Sequence, residues 1–81
     1  MTDRPLPKLT PPACRAARAL LGWSLDDLAV HVGITRDSLS RFESGRAMRE
    51  SNLRLIGEVF VAHGVEVLNG DAPGARLKPK A

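Results

Sequence analysis

Leu28-Ala29-Val30-His31-Val32-Gly33-Ile34-Thr35-Arg36-Asp37-Ser38-Leu39-Ser40-Arg41-Phe42 is the stretch that decides the fold. Leu25, Leu28, Ala29 and Val32 recur at helical spacing, and Gly33 stops that helix after about two turns. Thr35 is placed to cap a second short helix over Arg36 to Glu43, with Leu39 and Phe42 facing inward. Two short helices joined by a turn of about three or four residues cross steeply, so each position has its own steric demand. Ala29 sits where the helices approach, and a larger side chain there would push them apart. Gly33 lies in the turn, where a positive φ is expected and glycine adopts it without penalty. Ile34, Leu39 and Phe42 fill the wedge beneath. Thr35, Arg36, Asp37, Ser40 and Arg41 are left together on the outer face.

Upstream, Thr10-Pro11-Pro12 marks a helix start, because proline is tolerated in the first turn. Cys14, Ala17 and Leu21 form one buried stripe before Gly22 ends that helix. Ser24-Leu25-Asp26-Asp27 is a capping box with Asp in the Glu/Gln role, and two acids in the first turn suit the helix dipole. Downstream, Ser44-Gly45 ends the third helix and Arg46 to Glu50 form a loop. Ser51 is expected to cap a fourth helix traced by Leu53, Ile56, Val59 or Phe60, and His63, with Gly64 as its stop. The period then changes. Val65-Glu66-Val67-Leu68 is β-rich, Asn69-Gly70 is a turn signal, and Ala75-Arg76-Leu77-Lys78 alternates as a returning strand. An isolated hairpin is only marginally stable, so this one needs packing or a partner strand.

With 81 residues there is room for one domain, and a chain this short buries only about 60% of its unfolded surface. The 43% hydrophobic fraction supports a real core, but Trp23, Phe42 and Phe60 are the only aromatics, so Ala, Leu and Val do most of the packing. The single cysteine, Cys14, excludes an internal disulfide and a cysteine metal cluster, and its place on the helical stripe assigns it to the core. No apolar run approaches the ~20 residues that span a bilayer, and Met1 to Pro12 lacks a signal-peptide segment. A soluble, cytoplasmic protein is expected. Net charge is +3, and nine of the twelve basic residues are Arg, the side chain suited to phosphate and guanine. Five of them (36, 41, 46, 49, 54) fall between residues 35 and 54, whereas residues 55–74 have acids and no Lys or Arg. His31 and His63 lie on separate helices without further ligands at metal spacing, and are expected at the surface or half-buried. Ser38 and Ser40 have no neighbouring base, so no nucleophile is expected; the chain reads as no enzyme, with no cofactor, metal or small-molecule ligand. Trp23 is expected to plug the edge of the bundle.

A helix-turn-helix places its second helix in the major groove of DNA. The pieces Ala17-Arg18-Ala19-Leu20-Leu21-Gly22-Trp23-Ser24, Asp27-Leu28-Ala29, Val32-Gly33-Ile34-Thr35 and Leu39-Ser40-Arg41-Phe42-Glu43-Ser44-Gly45 resemble the repressor/Cro-type (XRE) family of helix-turn-helix regulators. The tail, Gly64-Val65-Glu66-Val67-Leu68 and Pro73-Gly74-Ala75-Arg76-Leu77, resembles small stand-alone members of bacterial or mobile-element type. The resemblance implies that Thr35, Arg36, Asp37, Ser40 and Arg41 touch bases or the adjoining backbone. It implies that Ser44 and Arg46 contact phosphate, and that Arg18 and Glu43 pair to tie the first helix to the third; Ser24, Ser38 and Arg49 are further candidates for phosphate contacts. Two departures stand out: Leu25 replaces a common Gln, and Ala47-Met48-Arg49-Glu50 lacks the usual Pro.

Side-chain chemistry adds that Arg36 and Arg41 can each contact guanine O6 and N7, a pair worth ~1–3 kcal/mol of discrimination. Asp37 either accepts from cytosine N4 or caps its helix. The expected architecture is mainly α: a four- to five-helix lambda-repressor-like bundle with a short C-terminal β-strand or hairpin. Residues 1–10 are expected as a flexible arm, 11–64 as the DNA-binding domain, and 65–81 as a strand or hairpin with a basic tail. Arg76, Lys78 and Lys80 are either a solvated tail or an arm touching phosphate. One short recognition helix reads few base pairs, so a homodimer on a palindromic operator is expected, with Val65, Val67, Leu68, Leu77 and the fourth helix as its surface. Repression or autoregulation is expected, with RNA polymerase or another regulator as a further partner. The alternative is an antitoxin or antiactivator on the same fold, with an exposed apolar patch near residues 60–77.

Overall fold

The computed structural model describes residues 9–68 and 74–78. The expected turn at Asn69-Gly70, most of the N-terminal arm and Lys80 of the tail lie outside the described residues. Four helices, α1 (Pro11–Leu21), α2 (Leu25–Val32), α3 (Arg36–Glu43) and α4 (Glu50–Ala62), precede an antiparallel hairpin of β1 (Val65–Leu68) and β2 (Gly74–Leu77).

Each helix but the last starts on a side-chain cap. Thr10 accepts from the Ala13 amide, Ser24 and Asp27 exchange both bonds of the capping box, and Thr35 accepts from the Ser38 amide. Gly22 and Gly33 close α1 and α2 at φ 70°, a conformation that costs a side chain with Cβ roughly 1–2 kcal/mol. The expected cap at Ser51 is corrected: α4 starts earlier, at Glu50, with Arg49 as a cap residue that makes no side-chain bond. The extra residues leave the phase of Leu53, Ile56 and Phe60 unchanged, all inward, and bring an acid to the positive end of the helix dipole.

Leu28, Leu39, Ile56, Phe60 and Val65 are fully buried in one cluster with Cys14, Ala13 and Ala17. Burying each of the larger side chains is worth about 1.5–3 kcal/mol. The cluster extends past both expected domain limits. Leu9 is buried in it and Thr10 caps α1, so the packed unit begins inside the segment expected as a flexible arm. Val65 and Val67 are buried in the same core, with β2 lying along α1 and β1 against both α1 and α4.

The hairpin therefore finds its packing within the chain. Its register pairs Val65 with Leu77, Glu66 with Arg76, Val67 with Ala75 and Leu68 with Gly74. Lys78 N–H donates to Gly64 O at 2.8 Å and closes its base. Paired residues share a face, so Val65, Val67, Ala75 and Leu77 point one way. Val65 and Val67 are consumed by the core, whereas Leu77 overhangs it at 54% exposure and Leu68, on the other face, is half-buried. Among the described residues no helix is long and apolar enough to cross a membrane.

Candidate nucleic-acid interface

The inner end of α3 is anchored by α1. Arg18 donates through Nε to Glu43 Oε2 at 2.8 Å and through Nη2 to Oε1 at 2.7 Å, a two-point fork. Its Nη1 donates to Trp23 O at 3.0 Å, fixing the α1–α2 turn. Arg15 donates to the Glu43 carbonyl, one of the last carbonyls of α3, and the buried Cys14 thiol donates to Glu43 Oε2 at 3.0 Å. Burial pulls the Glu43 carboxyl upward, but the bonds from Arg18 and Cys14 and the charges of Arg18 and Arg15 prevail, and it ionises below the usual carboxylate range. Burial first, then the bond to Glu43, pushes the Cys14 thiol far up, so it stays protonated as a donor. Every oxygen of this buried carboxylate is satisfied, and the end of α3 is tied to α1 by side chain and backbone together.

The outer face of α3 is charged and open. Thr35, Arg36, Asp37, Ser38 and Arg41 are exposed and Ser40 is half-buried, so the polar set gathers on one face. Ala29 is half-buried against the core beneath the turn, and Gly33 N–H donates to Ala29 O at 2.9 Å. The arginines are not idle. Arg36 Nε lies 3.2 Å from Asp26 Oδ1 on α2, and Arg41 Nη2 lies 3.1 Å from Asp37 Oδ2 one turn away. Asp26 was not among the sequence-derived site residues. The Asp37–Arg41 spacing of four was a readable signal.

The hydroxyls divide by whether a proton remains to donate. Thr35 Oγ1 gives its proton to Ser38 Oγ at 2.9 Å, leaving the Ser38 proton free for an acceptor. Ser24 Oγ accepts within the capping box and likewise keeps its own proton. Ser44 differs: its hydroxyl donates to Ser40 O at 3.0 Å and its amide to Ser40 O and Arg41 O, so a phosphate contact there requires a rotated side chain. Arg46 and Arg49 are exposed and share an open groove with Ser38, Arg41 and Asn52, floored by Met48 packed on the core. Asn52 and Met48 escaped the sequence reading. Met48 stands in the loop without proline and anchors it by burial instead.

His31 and His63, read on separate helices and both exposed, meet around Trp23. The Trp23 and His31 rings stack at 4.1 Å and 8°, and His63 stands edge-on to both at 4.8 and 5.0 Å from their centroids. His63 Nδ1 lies 2.9 Å from Val59 O. Trp23 does seal an edge of the bundle, with Phe60 on its inner side at 6.1 Å. Among the described residues no group of three or more metal-ligating side chains occurs.

No curated protein matches the chain. A family described as a helix-turn-helix domain matches residues 14–68, from the buried Cys14 through the last residue of β1. That span holds the α2–α3 pair, the Arg18–Glu43 anchor and the outward polar face, and it agrees with the resemblance to XRE-type regulators. The chain belongs to the helix-turn-helix domain family.

Proposed function

We propose that this protein is a sequence-specific double-stranded DNA-binding transcriptional regulator, a cytoplasmic repressor or autoregulator with no catalytic activity. In this reading α3 enters the major groove, Thr35, Arg36, Asp37, Ser40 and Arg41 face base edges, and Ser24, Ser38, Arg46 and Arg49 face phosphate. The observation that carries it is the contrast between the two faces of α3: the inner one locked to α1 through Glu43, the outer one presenting two arginines to solvent. A rigid mount with a charged free face is what docking into a groove demands.

Residues 11–64 form the DNA-binding unit and the hairpin its completion. A homodimer on a palindromic site would set two copies of α3 about 34–36 Å apart. With Val65 and Val67 used within the protomer, Leu68, Leu77 and the exposed Leu55 and Val61 of α4 are the side chains left for that contact. Exposed Val61 and Leu77 also support a second reading, an antitoxin or antiactivator that binds a partner protein on this fold. RNA polymerase or another regulator would be a further partner of the DNA-bound form.

Titration of labelled mixed-sequence duplex at two salt concentrations tests the reading. The expected logarithmic slope is about −0.9 per phosphate neutralised. Absence of binding at low salt overturns it in favour of the protein-partner reading. Selection of sites from random DNA, repeated with Arg41→Ala, should erase preference at one base position; a uniform loss across all sites would make Arg41 a phosphate contact.

A further inference from the structure

The face expected to meet polyanionic DNA carries a carboxylate against each of its outward arginines. Arg36 is paired with Asp26 across the two helices and Arg41 with Asp37 along α3, and all four side chains are more than 60% exposed (63, 77, 71 and 74%). Exposed pairs of this kind contribute little to folding, so stability gives them little purpose. Arg46 and Arg49, in the groove beyond the C-terminal end of α3, have no carboxylate partner among the described residues. The basic groups thus fall into two classes, paired over the recognition face and unpaired beside it.

We propose that Asp26 and Asp37 are positioning residues that set sequence selectivity, holding Arg36 and Arg41 for base edges and against backbone phosphate. The inference rests on the DNA-binding reading and specifies how that surface discriminates. Guanidinium has five N–H donors in a planar fork. A contact to guanine O6 and N7 uses two of them and leaves others for the carboxylate, so base reading and the ion pair coexist. A phosphate contact instead brings a second anion to a guanidinium that already has one, and the two anions repel. Arg46 and Arg49 bear no such restriction and supply the sequence-independent attraction.

The test compares wild type, Asp26→Asn, Asp37→Asn, Arg41→Ala and the Asp37→Asn/Arg41→Ala double variant. The probes are the duplex selected from random DNA and a duplex of unselected sequence. Asp37→Asn should bind the unselected duplex about 3–10-fold more tightly at low salt, with a steeper salt slope, because one anion is gone and Arg41 is released to phosphate. Its preference at the base assigned to Arg41 should fall by about the same factor, and the double variant should lose no more preference than Arg41→Ala alone. Asp26→Asn should do the same at the base read by Arg36, and thermal midpoints should shift by no more than about 4 °C. Intact base preference in both Asn variants, or equal weakening on both duplexes, overturns the inference while leaving DNA binding in place. Failure of the wild type to select any sequence overturns the DNA reading itself, and this inference with it.

Discussion

Arginine meets carboxylate on both the inner and the outer face of the recognition helix, and the two faces behave as different materials. At Glu43 the side chains are 19% and 7% exposed and joined by a two-point fork. At Asp26–Arg36 and Asp37–Arg41 the four side chains stand in water and meet through single contacts beyond 3 Å. Coulomb attraction is screened where water surrounds the pair and strengthened where it does not, while removing one buried partner strands the other. The buried pair is therefore a fastening and the exposed pairs are adjustable. The chemistry is shared; burial decides what it does.

Glu43→Ala should break the contrast most. It leaves Arg18 partly buried without its anion and Cys14 without an acceptor, a loss of about 3–5 kcal/mol. With roughly 4–8 °C lost per kcal/mol in a domain of this size, the thermal midpoint followed by circular dichroism should drop by more than 10 °C. Arg18→Lys sharpens it: the charge is kept and the fork is lost, so about 1–2 kcal/mol should go. If Lys substitutes without loss, the anchor is charge alone.

Acid should act through the buried pair. The folded-state carboxyl of Glu43 ionises below its ordinary value of 4.5, so its stabilisation is present above that value and is lost as pH falls through the folded one. Asp27, held down chiefly by the Ser24 amide, and Glu66, held down by Arg76, contribute in the same direction. The readout is therefore a difference: Glu43→Gln should lower the midpoint at neutral pH and flatten its decline below about pH 4.5. Parallel wild-type and variant curves would remove Glu43 as the cause. Ser24→Ala, which deletes half of the capping box, should cost about 1 kcal/mol. Smallest of all, Asp26→Asn and Asp37→Asn should move stability by no more than about 0.5 kcal/mol in chemical denaturation, since exposed pairs contribute so little.

The order of these effects parallels what could be read without coordinates. Local rules placed Thr10, Ser24, Thr35 and Gly33, because a cap or a left-handed turn is decided by residues three or four apart. The same rules misplaced the start of α4, where Ser51 has the right chemistry but the core-facing phase of Leu53 and Ile56 allows an earlier start. Alternation in Val65-Glu66-Val67 announced a strand with one apolar face, but not which core that face would enter. Arg36–Asp26 and the meeting of His31 with His63 depend on how α2 turns against its neighbours, which residue types do not encode. The polar set on α3 was legible because 3.6-residue periodicity alone assembles it.

Trp23 is the only tryptophan in the chain, and it lies face to face with His31 near the end of α2. The emission of an indole depends on what touches its ring, so this side chain is a label already attached to the motif. Docking of a preformed surface on DNA would leave its spectrum in place. A change in emission on binding would reveal that α2 shifts against α1 or α4 when the groove is entered. An unmodified sample in a fluorimeter can thus tell rigid docking from rearrangement.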